Sequence, residues 1–117
     1  MQNYLEKHAD WIGKALFSGK LYYANGHPAA ILAAGDEDQI LGDVYELDTN
    51  SPLLRELDRY EGYRPDKLDE SLYLRKKREV TLKKDGEVYM AWVYIYNQPV
   101  VRAKLIPSGD YVQFRRG

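Results

Sequence analysis

The stretch LLRELDRYEGY at residues 53–63 places a carboxylate where a core side chain is expected. On a helix, Glu61 lies one turn beyond Leu57 and two turns beyond Leu54, on the apolar stripe. Burial raises the pKa of a carboxyl group, and the helix dipole at a C-terminus acts in the same direction. A carboxyl group with a raised pKa can exchange protons near neutral pH, so Glu61 is a candidate general acid/base.

The spacing alone leaves a second interpretation of Glu61 open. Helix ends are imprecise by a residue or two, so this side chain could leave the last turn for solvent. It could also pair with Arg64 or Arg75. On spacing alone, this purely structural interpretation is favoured over the catalytic one.

The elements around Glu61 follow from hydrophobic periodicity and turn residues. The helix begins after a cap at Asn50 or Ser51, with Pro52 in its first turn, and Gly62 suits its left-handed end. Asp85-Gly86 predicts a hairpin between two long strands. The predicted segments are a helix at 2–10, strands at 15–23, 29–34, 40–47, 71–84 and 87–97, and a turn with a short extended segment at 106–114.

These elements predict an α+β fold in one domain spanning residues 1–117. The strand at 88–96 is apolar on both faces, so we expect it to be covered on both sides. A small closed or nearly closed sheet with a helix packed on it would provide that cover.

The amino-acid composition limits the classes of binding partner and the cellular compartments that are expected for this protein. The chain has 17 Lys and Arg against 18 Asp and Glu, which gives no bulk attraction to nucleic acid or to an anionic membrane. The basic run LRKKRE at 74–79 is predicted to be the solvated face of a strand. Cysteine is absent, no apolar run approaches a membrane span, and the N-terminus has no signal-peptide core. A cytoplasmic domain is therefore predicted.

Other kinds of site find little support in the sequence. His8 and His27 have no carboxylate at a metal-ligand spacing, so no metal is predicted. The serines lack a nucleophile elbow, and glycine-rich nucleotide cradles are absent. Eleven tyrosines stand out, because each carries an apolar ring and a hydroxyl that needs a partner.

The ordered segments of the chain resemble the gamma-glutamylcyclotransferase-like family along nearly its whole length. The upstream stretches GKALFSGKLYY and HPAAIL resemble the family's first half. The other matching segments are GDVYEL (42–47), LRELDRYEGY (54–63), SLYLRKKREV (71–80), AWVYIYN (91–97) and IPSGDY (106–111).

The resemblance implies a small mixed, mostly antiparallel β-barrel with one or two flanking short helices. It also implies an enzyme that closes a γ-glutamyl group into 5-oxoproline and releases an amine or amino acid, with Glu61 as the catalytic acid/base. No cofactor is implied, because the substrate's own amine is the nucleophile. The tyrosines expected to flank Glu61, as substrate-binding groups or as filler of the barrel, are Tyr22, Tyr63, Tyr73, Tyr94 and Tyr96.

The sequence departs from the family at its start. Members begin with a strand ending in a Tyr-Gly-Ser/Thr-Leu segment whose backbone N–H groups hold the substrate, and this chain has no such segment. The sheet is then expected to lack a strand and to expose an edge, which a second copy could pair with in a homodimer. The alternative function is a non-catalytic small-molecule-binding or assembly domain of the same fold.

Overall fold

Seven strands and two short α-helices make up the part of the chain that the computed structural model describes, which is residues 7, 9–24, 26–32, 38–48, 52–99 and 103–116. A single 3₁₀ turn covers Leu68–Glu70. In chain order the elements are β1 (Asp10–Ser18), β2 (Lys20–Ala24), β3 (His27–Ile31), β4 (Gln39–Glu46), α1 (Leu53–Tyr60), β5 (Tyr73–Leu82), β6 (Val88–Tyr96), β7 (Lys104–Ile106) and α2 (Tyr111–Arg116).

The strands form two curled sheets that resemble half of a barrel. One sheet has the order β4-β1-β5-β6 and the other has the order β3-β2-β7. Every strand pair among the described residues is antiparallel. The predicted fold class, α+β with mostly antiparallel strands and short helices, is confirmed.

The single strand predicted at 15–23 is wrong, because the chain changes sheets at Gly19. β1 ends at Ser18 and β2 begins at Lys20 in the other sheet. A Cβ on Gly19 would lie 2.8 Å from the Ile31 carbonyl oxygen and 2.9 Å from Ile40 Cδ1. Only glycine lets the backbone pass this close at the crossing. The helix predicted at 2–10 falls mostly outside the described residues, and Asp10 already belongs to β1.

The hairpin predicted at Asp85-Gly86 joins β5 and β6. Gly86 has a φ of +75°, which favours glycine, and the register runs without a shift from Thr81 opposite Val88 to Tyr73 opposite Tyr96. On one face of the hairpin, Val80 and Leu82 pack with Ala15 of β1 in a buried cluster.

The expectation that β6 is covered on both faces is wrong for its first half. Val88, Met90 and Trp92 are 58%, 59% and 47% exposed. β6 is the outer strand of its sheet, and the residues opposite these three on β5 are Thr81, Glu79 and Lys77. A polar row therefore lies beside the apolar one on an open face.

The C-terminal segment is helical where a short extended segment was predicted. α2 begins directly after Asp110, whose Oδ1 accepts a hydrogen bond from the backbone N–H of Gln113 at 3.2 Å. This is the hydrogen bond of an N-cap residue, so Asp110 supplies the start signal that the turn interpretation overlooked. In the part of the chain that the structure describes, no helix is long and apolar enough to span a membrane.

We predict that Gly109→Ala destabilises the fold far more than Gly26→Ala. Both glycines have positive φ, +68° and +82°, so both variants carry the left-handed penalty of about 1 kcal/mol. A Cβ at Gly109 would also overlap the carbonyl oxygen of Gln39, whereas nothing lies within 4 Å of one at Gly26. Denaturant unfolding of the two variants should differ by at least about 2 kcal/mol. Equal losses would show that the turn at Gly109 does not pack against β4 in this way.

Candidate active site

The C-terminal end of α1 is closed by a Schellman motif that fixes the backbone of Glu61. Gly62 takes a φ of +70°, and its N–H donates to the Arg59 carbonyl at 3.2 Å. The N–H of Tyr63 donates to the Asp58 carbonyl at 2.8 Å, and the N–H of Glu61 still donates to Leu57 at 2.9 Å. These bonds match the 6→1 and 5→2 pattern of the motif. Glu61 is therefore the C-cap residue of α1, and its backbone is held in place by these bonds.

The Glu61 side chain is partly buried, and this changes its acidity. Burial raises the pKa of the Glu61 carboxyl above the ordinary value of 4.5, because the charged form loses hydration. The positive charge of His27, at the start of β3, opposes this rise. A carboxyl group in this state can accept and return a proton closer to neutral pH than a solvated one can.

The two arginines considered as partners of Glu61 are paired with other acids. Arg64 Nη1 lies 3.9 Å from Glu70 Oε2, and both side chains are exposed. Arg75 Nε lies 3.5 Å from Asp58 Oδ1, one turn earlier on α1. The structural interpretation of Glu61 as an arginine partner is therefore not what the geometry supports.

Four of the five predicted tyrosines belong to one cluster. Tyr73 and Tyr96 are buried with Ala24 and Ala29, and Tyr22 and Tyr94 are among the partly buried residues packed against them. Tyr73 and Tyr96 face each other across β5 and β6, with ring centroids 5.4 Å apart in an edge-to-face arrangement. The cluster joins the end of the hairpin to β2 and β3.

The negative charge of Glu61 contributes to the raised pKa of two of these tyrosines, Tyr73 and Tyr94. The pKa of Tyr73 is raised to about 12, first by burial and then by the negative charges of Glu61 and of other tyrosines. The pKa of Tyr94 is raised by burial, by its hydrogen bond to Asp58, by the charge of Asp58 and, to a smaller extent, by Glu61, while Arg75 lowers it. Both phenols therefore stay protonated.

The hydroxyl protons of both tyrosines are already committed. Tyr73 donates to the Pro28 carbonyl at 2.7 Å, and Tyr94 donates to Asp58 Oδ1 at 2.6 Å. A hydroxyl has one proton and two acceptor lone pairs. Toward a bound molecule, each oxygen can therefore act only as an acceptor, for example from an ammonium group.

Tyr63, the fifth predicted tyrosine, contacts an arginine instead of the cluster. The Arg75 guanidinium carbon lies 5.6 Å from the Tyr63 ring centroid and 4.6 Å from that of Trp92. Both distances are within the range of cation–π attraction. The Nζ of Lys77 lies 5.3 Å from the same Trp92 ring.

Sequence reasoning missed Asp58, Trp92 and His27 as neighbours of the site. It considered Arg75 only as a possible partner of Glu61, whereas Arg75 pairs with Asp58. Two signals were available. Asp58 lies three residues before Glu61 and so shares its helix face. The hairpin register places Arg75 opposite Tyr94 and diagonal to Trp92.

A cavity of about 380 Å³ lies elsewhere in the molecule and contains none of the predicted site residues. It opens where β1 and β5 part, since their pairing is limited to Ala15 with Leu82 and Leu16 with Thr81. The residues that line it are Leu16, Phe17, Ser18, Gln39, Arg78, Glu79 and Thr81.

Comparison with known families gives a match over residues 1–113 to the family described as "Gamma-glutamyl cyclotransferase, AIG2-like". The resemblance noted in the sequence is thus confirmed. No curated protein matches the chain.

Solved structures share the fold. The protein ytfP from Escherichia coli is 26% identical, with a TM-score of 0.66 over 95% of this chain and 84% of that one. An uncharacterized protein from Pyrococcus horikoshii, PH0828, is 22% identical, with a TM-score of 0.64 over 99% of this chain and 81% of that one. YkqA from Bacillus subtilis is 26% identical, with a TM-score of 0.69 over 97% of this chain, which spans 35% of YkqA.

We predict that Glu61→Gln becomes more stable relative to the wild type as pH rises. The folded-state pKa of Glu61 lies above the unfolded value of 4.5, so ionisation of this group opposes folding. That cost is absent well below pH 4.5, grows as pH rises from the unfolded pKa towards the folded-state pKa, and is constant above both. Thermal unfolding at pH 4 and pH 7 measures the change.

Glu46→Gln is the matched control, because it removes one carboxylate at an exposed strand end. The change in Tm difference between pH 4 and pH 7 should be larger for Glu61→Gln than for the control. A smaller or reversed change would contradict the partial burial of Glu61.

Proposed function

Because the chain belongs to the gamma-glutamyl cyclotransferase, AIG2-like family, we propose that it converts a γ-glutamyl amine or peptide into 5-oxoproline and a free amine, with Glu61 as general acid/base. The observation that carries the proposal is the position of Glu61. It is a partly buried carboxyl with a raised pKa, fixed at a capped helix end beside a tyrosine cluster.

The reaction needs one proton acceptor that later becomes a donor. Glu61 takes a proton from the substrate's α-ammonium, and the freed amine attacks the γ-carbonyl carbon of the same molecule. A C–N bond forms the five-membered ring, the bond to the leaving nitrogen breaks, and Glu61 returns its proton to that nitrogen. The ring nitrogen then loses its second proton, which passes to the released amine, so that 5-oxoproline carries one N–H and the amine leaves as an ammonium. The nucleophile is intramolecular, so holding the substrate folded supplies much of the rate enhancement.

The tyrosines are proposed to hold the substrate in that folded shape. Tyr73 and Tyr94 present acceptor oxygens, because their protons are used by Pro28 and Asp58. Tyr96 and Tyr22 complete the apolar wall of the cluster, and Tyr63 forms part of the rim through its contact with Arg75. The proposed substrate is a small molecule, so neither nucleic acid nor a membrane surface is needed.

Three earlier expectations stay predictions: the cytoplasmic location, the single domain and the homodimer. The alternative function, a binding or assembly domain without turnover, makes a different experimental prediction. Such a protein would bind γ-glutamyl compounds or their products without releasing 5-oxoproline.

We predict that Glu61→Gln abolishes 5-oxoproline formation while the fold persists. Removal of a general acid/base costs roughly 10²–10⁴-fold in rate, and the amide cannot exchange the proton. Product release from a panel of γ-glutamyl amines and dipeptides is measured by chromatography. For the wild type, the acid limb of kcat/KM should lie above pH 4.5, the ordinary pKa of this carboxyl.

Glu46→Gln serves again as the matched control and should keep wild-type turnover. Circular dichroism checks that both variants are folded. Turnover retained by folded Glu61→Gln would remove Glu61 from the mechanism. A wild-type protein that binds the panel but releases no product would favour the binding domain.

A further inference from the structure

We infer that Arg75 is a carboxylate-binding residue of the site, and that it takes the α-carboxylate of the glutamyl group. This inference rests on the proposed function for the identity of the ligand, and it adds the part of the site that recognises the anion.

The guanidinium of Arg75 has hydrogen-bond donors without acceptors. Within the described chain, Nε and Nη1 are buried and have no hydrogen-bond partner. The 3.5 Å approach of Nε to Asp58 Oδ1 is an ion pair but not a hydrogen bond. Buried donors left unsatisfied are costly and therefore rare, and each one requires an explanation. Nε faces Asp58, and a carboxylate bound at the Nη1 edge supplies an acceptor that is missing there.

The geometry of Arg75 suits a planar anion. Its guanidinium lies over the rings of Tyr63 and Trp92, at 5.6 and 4.6 Å from their centroids. Aromatic contacts of this kind fix the plane of the fork, and a fixed fork binds a carboxylate in a bidentate manner. The side chain as a whole is 19% exposed, whereas its Nε and Nη1 atoms are buried.

Asp58 does not fully satisfy Arg75. Its Oδ1 already accepts the hydroxyl proton of Tyr94 at 2.6 Å, and this short bond competes for the same oxygen. Asp58 therefore holds the arginine in place electrostatically while the guanidinium donors remain available.

The short separation between Arg75 and Glu61 favours the α-carboxylate as the ligand of Arg75 over a carboxylate farther from the substrate's α-ammonium. Asp58 and Glu61 lie three residues apart, which places their Cβ atoms roughly 5–6 Å from each other on one face. A group at Arg75, next to Asp58, and a group at Glu61 are therefore near neighbours. The α-carboxylate and the α-ammonium of a glutamyl group share one carbon atom, so one residue can hold each of them.

The test compares binding of 5-oxoproline, which keeps the α-carboxylate, with binding of its carboxamide, which lacks the charge. Wild-type protein should bind 5-oxoproline about tenfold or more tightly, as measured by ligand-observed NMR titration. Arg75→Met should reduce this preference to less than about twofold. Arg75→Lys keeps the charge but not the fork, and should give an intermediate preference.

Lys77→Met is the matched control, since Lys77 is a second cation over the Trp92 ring on the same face of β5. It should keep the full preference for the carboxylate. If Arg75→Met does not fold by circular dichroism, Arg75→Lys decides: an unchanged preference overturns the inference. An equal loss in the Lys77→Met control also overturns it, as does a wild-type protein that binds neither ligand.

Binding of a γ-glutamyl amine and of a γ-glutamyl amino acid is compared to identify the carboxylate that Arg75 binds. Both carry the α-carboxylate, and only the second has a carboxylate on its leaving group. Arg75→Met should weaken the binding of both by a similar factor. Weakening of the amino-acid derivative alone would assign Arg75 to the leaving group and overturn the inference.

The two proposals fail in different ways. Binding of 5-oxoproline through Arg75 without any turnover would contradict the cyclotransferase activity and leave the carboxylate site standing. Turnover by the wild type, together with an unchanged carboxylate preference in folded Arg75→Met, would contradict the carboxylate site and leave the cyclotransferase activity standing.

Discussion

The attachment of α1 to the β5–β6 hairpin is the constraint on which the site depends. Asp58 joins the helix to both strands, through the hydroxyl of Tyr94 at 2.6 Å and the Arg75 Nε at 3.5 Å. Beyond the helix, the Gly62 carbonyl accepts the N–H of Leu72 at 3.0 Å, just before β5 begins. Glu61 lies between these two anchors. Its partial burial therefore results from where the helix is held, and its raised pKa follows from that burial.

Local signals were sufficient to predict α1 and the hairpin. Leu53 and Leu57 are buried as the helical period requires, and Gly62 adopts the left-handed conformation expected at the helix end. The Asp85-Gly86 turn sets the register of two strands, and that register alone brings Tyr73 beside Tyr96. These predictions succeed because each depends on residues close in sequence, where geometry leaves few choices.

The features that could not be predicted depend on contacts between distant parts of the chain. At the break between β1 and β2, a Cβ on Gly19 would lie within 3 Å of Ile31 and Ile40, and period-2 alternation cannot reveal this crowding. The choice of Arg75 as partner of Asp58 depends on where the helix crosses the strands. The sequence shows which oppositely charged residues could form ion pairs, but the tertiary structure determines which of them do. The helix-end position of Glu61 and the grouping of the tyrosines were predictable, whereas the pairing of Arg75 with Asp58 was not.

The length of α1 explains why the site occupies only one end of the hairpin. Eight helical residues span about 12 Å, while the nine residues of β6 span about 30 Å. Along one face of β6, exposure rises from 8% at Tyr96 to 47% at Trp92 and 59% at Met90. The half of the face near α1 is desolvated, and the half near the turn is wet. An acid/base whose pKa is raised by burial can function only in the first half, and this is where Glu61 and the tyrosine cluster lie.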